Sequence, residues 1–204
     1  MLKTVKRIFD LILALAALLV AAPVTALVAA AIRLDSPGPV IYRARRAGLH
    51  GVPFDMLKFR TMRAGAATGG PSLTLRSDPR VTRVGRWLRW TRLDELPQLV
   101  NVVRGEMSLA GPRPEDPRYV ARYTDEQRQL LGVRPGIVSR SSLQFWNEGE
   151  LLSGPDWERT YCEEILPRKL AMELEKLRIR KSSTRASRVS DTTRAQGARE
   201  RGPR

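Results

Sequence analysis

The sequence predicts a mixed α/β fold: a small membrane-associated domain carried on an N-terminal membrane helix, with amphipathic helices on its surface. Three observations lead there. Leu11 to Ile32 is a run of 22 residues without a charge. Beyond it, short apolar runs bounded by Gly and Pro read as strands, and longer runs with three-to-four-residue spacing read as helices. The formal net charge of +15 calls for an anionic partner, whether lipid surface, phosphorylated substrate or nucleic acid.

The chain begins with a short basic flank, Lys3, Lys6 and Arg7. The apolar run that follows would make roughly 33 Å of helix, enough to cross a hydrocarbon core. Pro23 lies near its centre, and three readings stay open: a plain transmembrane helix, a cleaved signal peptide, and a helix broken at Pro23 that returns to the face it entered. Basic residues flank both sides, with Arg33, Arg43, Arg45 and Arg46 on the far one. The positive-inside tendency draws both flanks into the cytoplasm, which a re-entrant helix satisfies and a straight span does not. A break leaves carbonyls in lipid that need partners, and Thr25 offers one hydroxyl.

Ser36 to Pro39 is a turn cluster and Val40 to Tyr42 a short strand. A turn over Gly48 to Pro53 leads to a second strand within Phe54 to Met62, whose exit carries Lys58 and Arg60. Ala64 to Pro71 reads as a flexible loop without the Gly-Lys-Ser/Thr ending of a Walker motif. Val84 to Trp90 is helical, its tryptophans assigned to core packing or an interfacial belt. Tyr119 to Leu131 reads as an amphipathic helix, Ile137 to Trp146 resists assignment, and Asp156 to Arg178 reads as a helix interrupted at Pro167. The last 27 residues hold nine basic and two acidic side chains and almost nothing to bury, so 179–204 should be a disordered basic tail. The resulting division is a membrane segment at 1–33, a folded domain at 34–178, and that tail.

One cysteine, Cys162, excludes an intrachain disulfide, and one histidine, His50, argues against a histidine-rich zinc site. The densest chemistry lies at Arg89 to Val102. Arg80, Arg83, Arg86, Arg89 and Arg92 recur every third residue ahead of Asp94 and Glu95, and Pro97 stands where a helix can begin. Apolar residues then run to Gly105, a stop signal. Two carboxylates at the positive end of a helix and among guanidinium groups can stay ionised at neutral pH. The guanidinium groups suit phosphate.

Lys58 to Met62, Asp78 to Gly85, Leu93 to Gln98, Gly105 to Leu109 and Gly111-Pro-Arg-Pro114 appear in that order behind the apolar segment. Together they resemble the bacterial sugar transferases, the monotopic phosphoglycosyl transferases that load a sugar phosphate onto undecaprenyl phosphate, over about Lys6 to Arg178. The resemblance implies that 34–178 is the catalytic domain and that Asp94 is a nucleophile forming a phosphosugar ester. It implies that Glu95 is associated with Mg²⁺ and that Lys58, Arg89, Arg113 and Pro114 bind substrate phosphate. It further implies a UDP-sugar donor, an undecaprenyl phosphate acceptor, contact with membrane lipid, no nucleic acid, and a place on the cytoplasmic face of the inner membrane. The family often has Ser-Pro at its membrane break, where this chain has Ala22-Pro23. The rival reading is a membrane-tethered basic protein that binds nucleic acid or anionic lipid without chemistry.

Overall fold

In the computed structural model, which describes residues 2–65, 78–146, 148–152, 156–179 and 182, helix α1 (Leu2–Asp35) carries the whole apolar run. It is long and apolar enough to cross a membrane, and Leu19, Val20 and Leu27 near its middle are exposed. The expected break at Pro23 is corrected: helical structure continues through it. Proline removes one amide donor, that to the Leu19 carbonyl, and the bonds on either side carry the helix past the gap.

After α1, strands β1 (Ile41–Ala47) and β2 (Pro53–Phe59) form an antiparallel hairpin, registered from Ile41 opposite Phe59 to Ala47 opposite Pro53. β1 is longer than its apolar start suggests, because Arg43, Arg45 and Arg46 mask the alternation. His50 sits in the connecting turn with φ 57°. Helix α2 (Arg83–Thr91) opens on Thr82, whose hydroxyl accepts from the Gly85 amide, a normal N-cap. A 3₁₀ turn, Leu93–Glu95, joins it to α3 (Gln98–Arg104), with Pro97 just ahead and Gly105 at φ 85° closing it, as the sequence predicts.

Strands β3 (Ser108–Ala110) and β4 (Gly136–Val138) pair in parallel; three residues each are too few to show a period. Their approach requires glycine: a Cβ on Gly136 would lie 2.0 Å from the Gly111 amide nitrogen. The single helix expected over Tyr119 to Leu131 is instead α4 (Pro117–Val120), α5 (Asp125–Arg128) and a 3₁₀ turn. Thr124 and Gln127 form a capping box that starts α5 afresh. The unassigned stretch holds β4 and α6 (Arg140–Gln144), followed by α7 (Glu148–Leu151). α8 (Trp157–Thr160) passes through a π turn, Tyr161–Ile165, into a helix over 166–179. The interruption expected at Pro167 is therefore corrected. The wider turn immediately before it accommodates the missing amide. Most of the loop expected over Ala64 to Pro71, and the basic tail beyond Ile179 apart from Ser182, lie outside the described residues.

Two of the three core clusters include α1. Ala14 packs with Phe54, Met56, Leu99, Val102 and Met107, and Val28 and Ile32 pack with Phe59 and Leu88. The third gathers Tyr119, Tyr161, Ile165 and Leu170. Polar contacts hold both ends of α1. Arg7 donates to the carbonyls of Val102 at 2.7 Å and Val103 at 3.1 Å, and Ser108 Oγ donates to Asp10 at 2.7 Å. At the other end Arg60 donates to the Ser36 carbonyl at 2.6 Å and the Pro37 carbonyl at 2.9 Å. Asp35 accepts from the Val84 amide at the start of α2.

Candidate active site

Asp94 and Glu95 sit on the tight turn between α2 and α3, entered through Arg92 in the left-handed region at φ 59°. Both carboxylates are buried, with 7% and 9% of each residue exposed. α3 is only seven residues long, so its dipole is minor, and side-chain cations set the field. Lys58, at the end of β2, donates to Glu95 Oε1 at 2.9 Å and lies 3.8 Å from Asp94 Oδ2. Arg113 donates to the same Glu95 oxygen at 3.0 Å, and Arg92 lies 3.7 Å from it. Asp94 Oδ1 is buried with no hydrogen-bond partner among the described residues.

The two neighbouring carboxyls are shifted in opposite directions. Burial raises the Asp94 carboxyl above its ordinary range; the Lys58 charge opposes this and the Glu95 charge adds to it. At Glu95 burial also pushes upward, but Lys58 and Arg113, by charge and by hydrogen bond, hold it far below the usual carboxylate range. Burial pulls the Lys58 ammonium down, opposed by Glu95. One carboxylate is firmly ionic and paired with cations through one of its oxygens. The other is strained electrostatically and has a free oxygen.

The scaffold explains why these groups meet. Asn101, fully buried on α3, accepts from the Leu57 amide at 2.9 Å and donates to the Asp55 carbonyl at 2.8 Å. It thereby pins β2, with Lys58 the next residue, against the turn. Arg89 Nε donates to Thr61 Oγ1 at 2.8 Å, tying α2 to the β2 exit. Arg113 follows the Gly111–Gly136 contact and is flanked by Pro112 and Pro114, so its backbone has few alternatives. Pro114 itself is buried and lines a separate small pocket with Tyr123 and Leu130. Its part is to shape the chain at Arg113.

A cavity of about 1290 Å³ opens over Lys58, Arg89, Asp94 and Arg113. Of the arginines spaced by three, Arg80, Arg86, Arg89 and Arg92 line it. Arg83 does not, because steps of three on a 3.6-residue helix drift off one face. Trp87 and Trp90 are exposed, which removes core packing as their role. Sequence reasoning missed Asn101, Thr61 and the wall formed by Ser142, Phe145 and Trp146. A buried-type Asn inside Leu99-Val-Asn-Val-Val103 was the one visible signal. His50 does not line the cavity.

No three of the His, Cys, Asp and Glu side chains among the described residues cluster for a metal. A divalent ion that keeps waters and arrives with a diphosphate needs only one or two carboxylates. The donor set fits that need: Asp94 Oδ1 is unpartnered, and the cations around Glu95 contact Oε1, outside which Oε2 remains.

A sequence model described as bacterial sugar transferase matches residues 1–166. The chain is 48% identical over 146 residues to the exopolysaccharide production protein PSS of Rhizobium leguminosarum bv. phaseoli, covering 68% of this chain and 73% of that protein. It is 44% identical over 143 residues to a UDP-glucose:undecaprenyl-phosphate glucose-1-phosphate transferase of Caulobacter vibrioides, covering 68% and 53%. With the Escherichia coli (strain K12) enzyme of that same name it is 40% identical over 151 residues, covering 71% of this chain but 32% of that protein. The chain thus spans only part of the length of these relatives.

Proposed function

This chain belongs to the bacterial sugar transferase family, and from that premise we propose that it transfers a sugar 1-phosphate from a UDP-sugar to undecaprenyl phosphate. One observation carries the reading: a buried, partnerless carboxylate oxygen on Asp94 lies among cations in an arginine-lined cavity. An oxygen buried without a partner is costly, and an incoming electrophile relieves that cost.

In the first step Asp94 attacks the phosphorus that bears the sugar. A P–O bond forms to the carboxylate, the diphosphate bridge breaks, and UMP leaves with the bridging oxygen. In the second, a phosphate oxygen of undecaprenyl phosphate attacks the same phosphorus and the Asp94 carboxylate departs. Two displacements replace one difficult encounter between a soluble donor and a lipid. Lys58 and Arg113 are already fixed on Glu95, so they meet developing charge on the phosphoryl oxygens without reorganising. Arg89, steadied by Thr61, serves the departing nucleotide phosphate. Glu95, with the donor diphosphate, would hold Mg²⁺, which would supply neutralisation of negative charge.

The acceptor's phosphate lies at a lipid boundary, so the cavity must be held there. Anchoring of both α1 ends to one folded body supports a helix that does not cross the membrane and keeps the domain, residues 34–178, on the cytoplasmic face of the inner membrane. The test is donor labelled in its sugar phosphate, incubated with detergent-extracted protein and Mg²⁺ but no acceptor. Labelled protein and an equivalent of UMP are expected. Asp94→Asn should abolish both, with turnover falling by roughly 10³-fold or more. UMP release from Asp94→Asn at the native rate would remove the carboxylate from the mechanism.

A further inference from the structure

One part of the cavity wall is built from α6 and the turn after it, through Ser142, Phe145 and Trp146. Two of the cations that surround Glu95 also reach this wall. Arg113 Nη1 donates to Ser142 Oγ at 3.4 Å. The Arg92 guanidinium lies 4.4 Å from the centre of the Trp146 ring and donates to the Trp146 carbonyl at 2.9 Å. Half of Trp146 remains exposed. A large aromatic surface with a cation on one face, a fixed backbone and no core to fill has an orientation but no visible structural task.

We propose that Trp146 is the stacking platform for the sugar ring of the donor, and so a specificity-determining residue; this rests on the UDP-sugar reading of the same cavity. Position argues for the sugar over the nucleobase. Arg92 is two residues from Asp94, and its Nη1 lies 3.7 Å from Glu95 Oε1, so the indole stands one side chain away from the reacting centre. The group bonded directly to the attacked phosphorus is the sugar, whereas the base is separated from it by a second phosphate and a ribose. A pyranose presents a face of C–H bonds whose partial positive charge suits the negative face of an indole. Ser142 places a hydroxyl on the same wall for a ring substituent.

The experiment measures KM and kcat for UMP release across a panel of UDP-sugars, together with inhibition by UMP and UDP, in the native full chain, Trp146→Ala and Trp146→Phe. The alanine variant should raise KM for the preferred UDP-sugar about tenfold, leave kcat little changed, and leave inhibition by UMP and UDP, which lack the sugar, as in the native protein. Phenylalanine should recover most of the loss. An unchanged KM overturns the proposal. So does an equal weakening of UMP and UDP, which would place the base on the indole. A loss that phenylalanine does not recover, with a lowered unfolding temperature, also overturns it. Failure of the underlying reading looks different: the native protein would then release UMP from no UDP-sugar at all.

Discussion

Asp94 and Glu95 are adjacent in the chain and shifted in opposite directions. Burial penalises both charges, yet only Glu95 is repaid by direct bonds from Lys58 and Arg113. As the proposed nucleophile, Asp94 must be ionised to attack, so pre-steady-state UMP release should fall as pH drops through the raised Asp94 value. At saturating Mg²⁺ the acid limb should lie above the ordinary aspartate value of 3.8, read from burst amplitude and rate against pH. A limb at or below that value would contradict the burial argument. The stability signs are opposite for the pair. Glu95 is depressed on folding, so its contribution is present above the ordinary glutamate range and lost as pH falls. Asp94 is raised, so ionising it costs stability as pH climbs through its folded value.

Among the elements, α2 meets the β2 exit at close range. A Cβ on Gly85 would lie 2.1 Å from the Thr61 carbonyl oxygen, and backbone oxygen cannot swing aside as a side chain can. Gly85→Ala should therefore push α2 off the strand, stretch the Arg89–Thr61 hydrogen bond, and destabilise the protein by about 1–3 kcal/mol. Gly132→Ala, which meets nothing within 4 Å, should be close to neutral. Thermal unfolding in detergent compares the two, and equal unfolding temperatures would show that α2 is not clamped there. Arg60 works at the same junction from the other side, bonding the carbonyls at the end of α1 while its own strand carries Lys58 two residues earlier. Helix α1 and Lys58 are thus joined through a single short strand and its exit.

At the level of the whole molecule, both halves of α1 feed cores that also contain β2 and α3 or α2. A helix so anchored should expose its two ends to the same aqueous compartment. With Cys162→Ser as background, Thr4→Cys and Leu34→Cys introduce thiols at exposed positions near the start and end of α1. A membrane-impermeant maleimide should label both in inside-out vesicles and neither in right-side-out ones. Labelling of the two from opposite sides would make α1 a membrane-crossing helix.

Much of this was legible in the order of residues. The apolar run, the start and stop of α3 at Pro97 and Gly105, and the identity of the Asp94–Glu95 neighbourhood all follow from local chemistry: missing amides, left-handed glycine, and charge density. Local patterns also misled where longer contacts prevail. Prolines 23 and 167 sit within helical structure because neighbouring turns absorb one lost hydrogen bond each. The three-residue strands β3 and β4 exist only because two glycines, distant in sequence, allow backbones to touch. Which carboxylate keeps its proton longer was invisible, since that depends on distances to Lys58 and Arg113, which are 36 and 19 residues from Asp94 along the chain. Residue types and turn chemistry are properties of neighbours, and a string of letters records them. Burial, charge pairing and the reach of Arg92 to Trp146 belong to parts brought together by folding, and those decided how the site is poised.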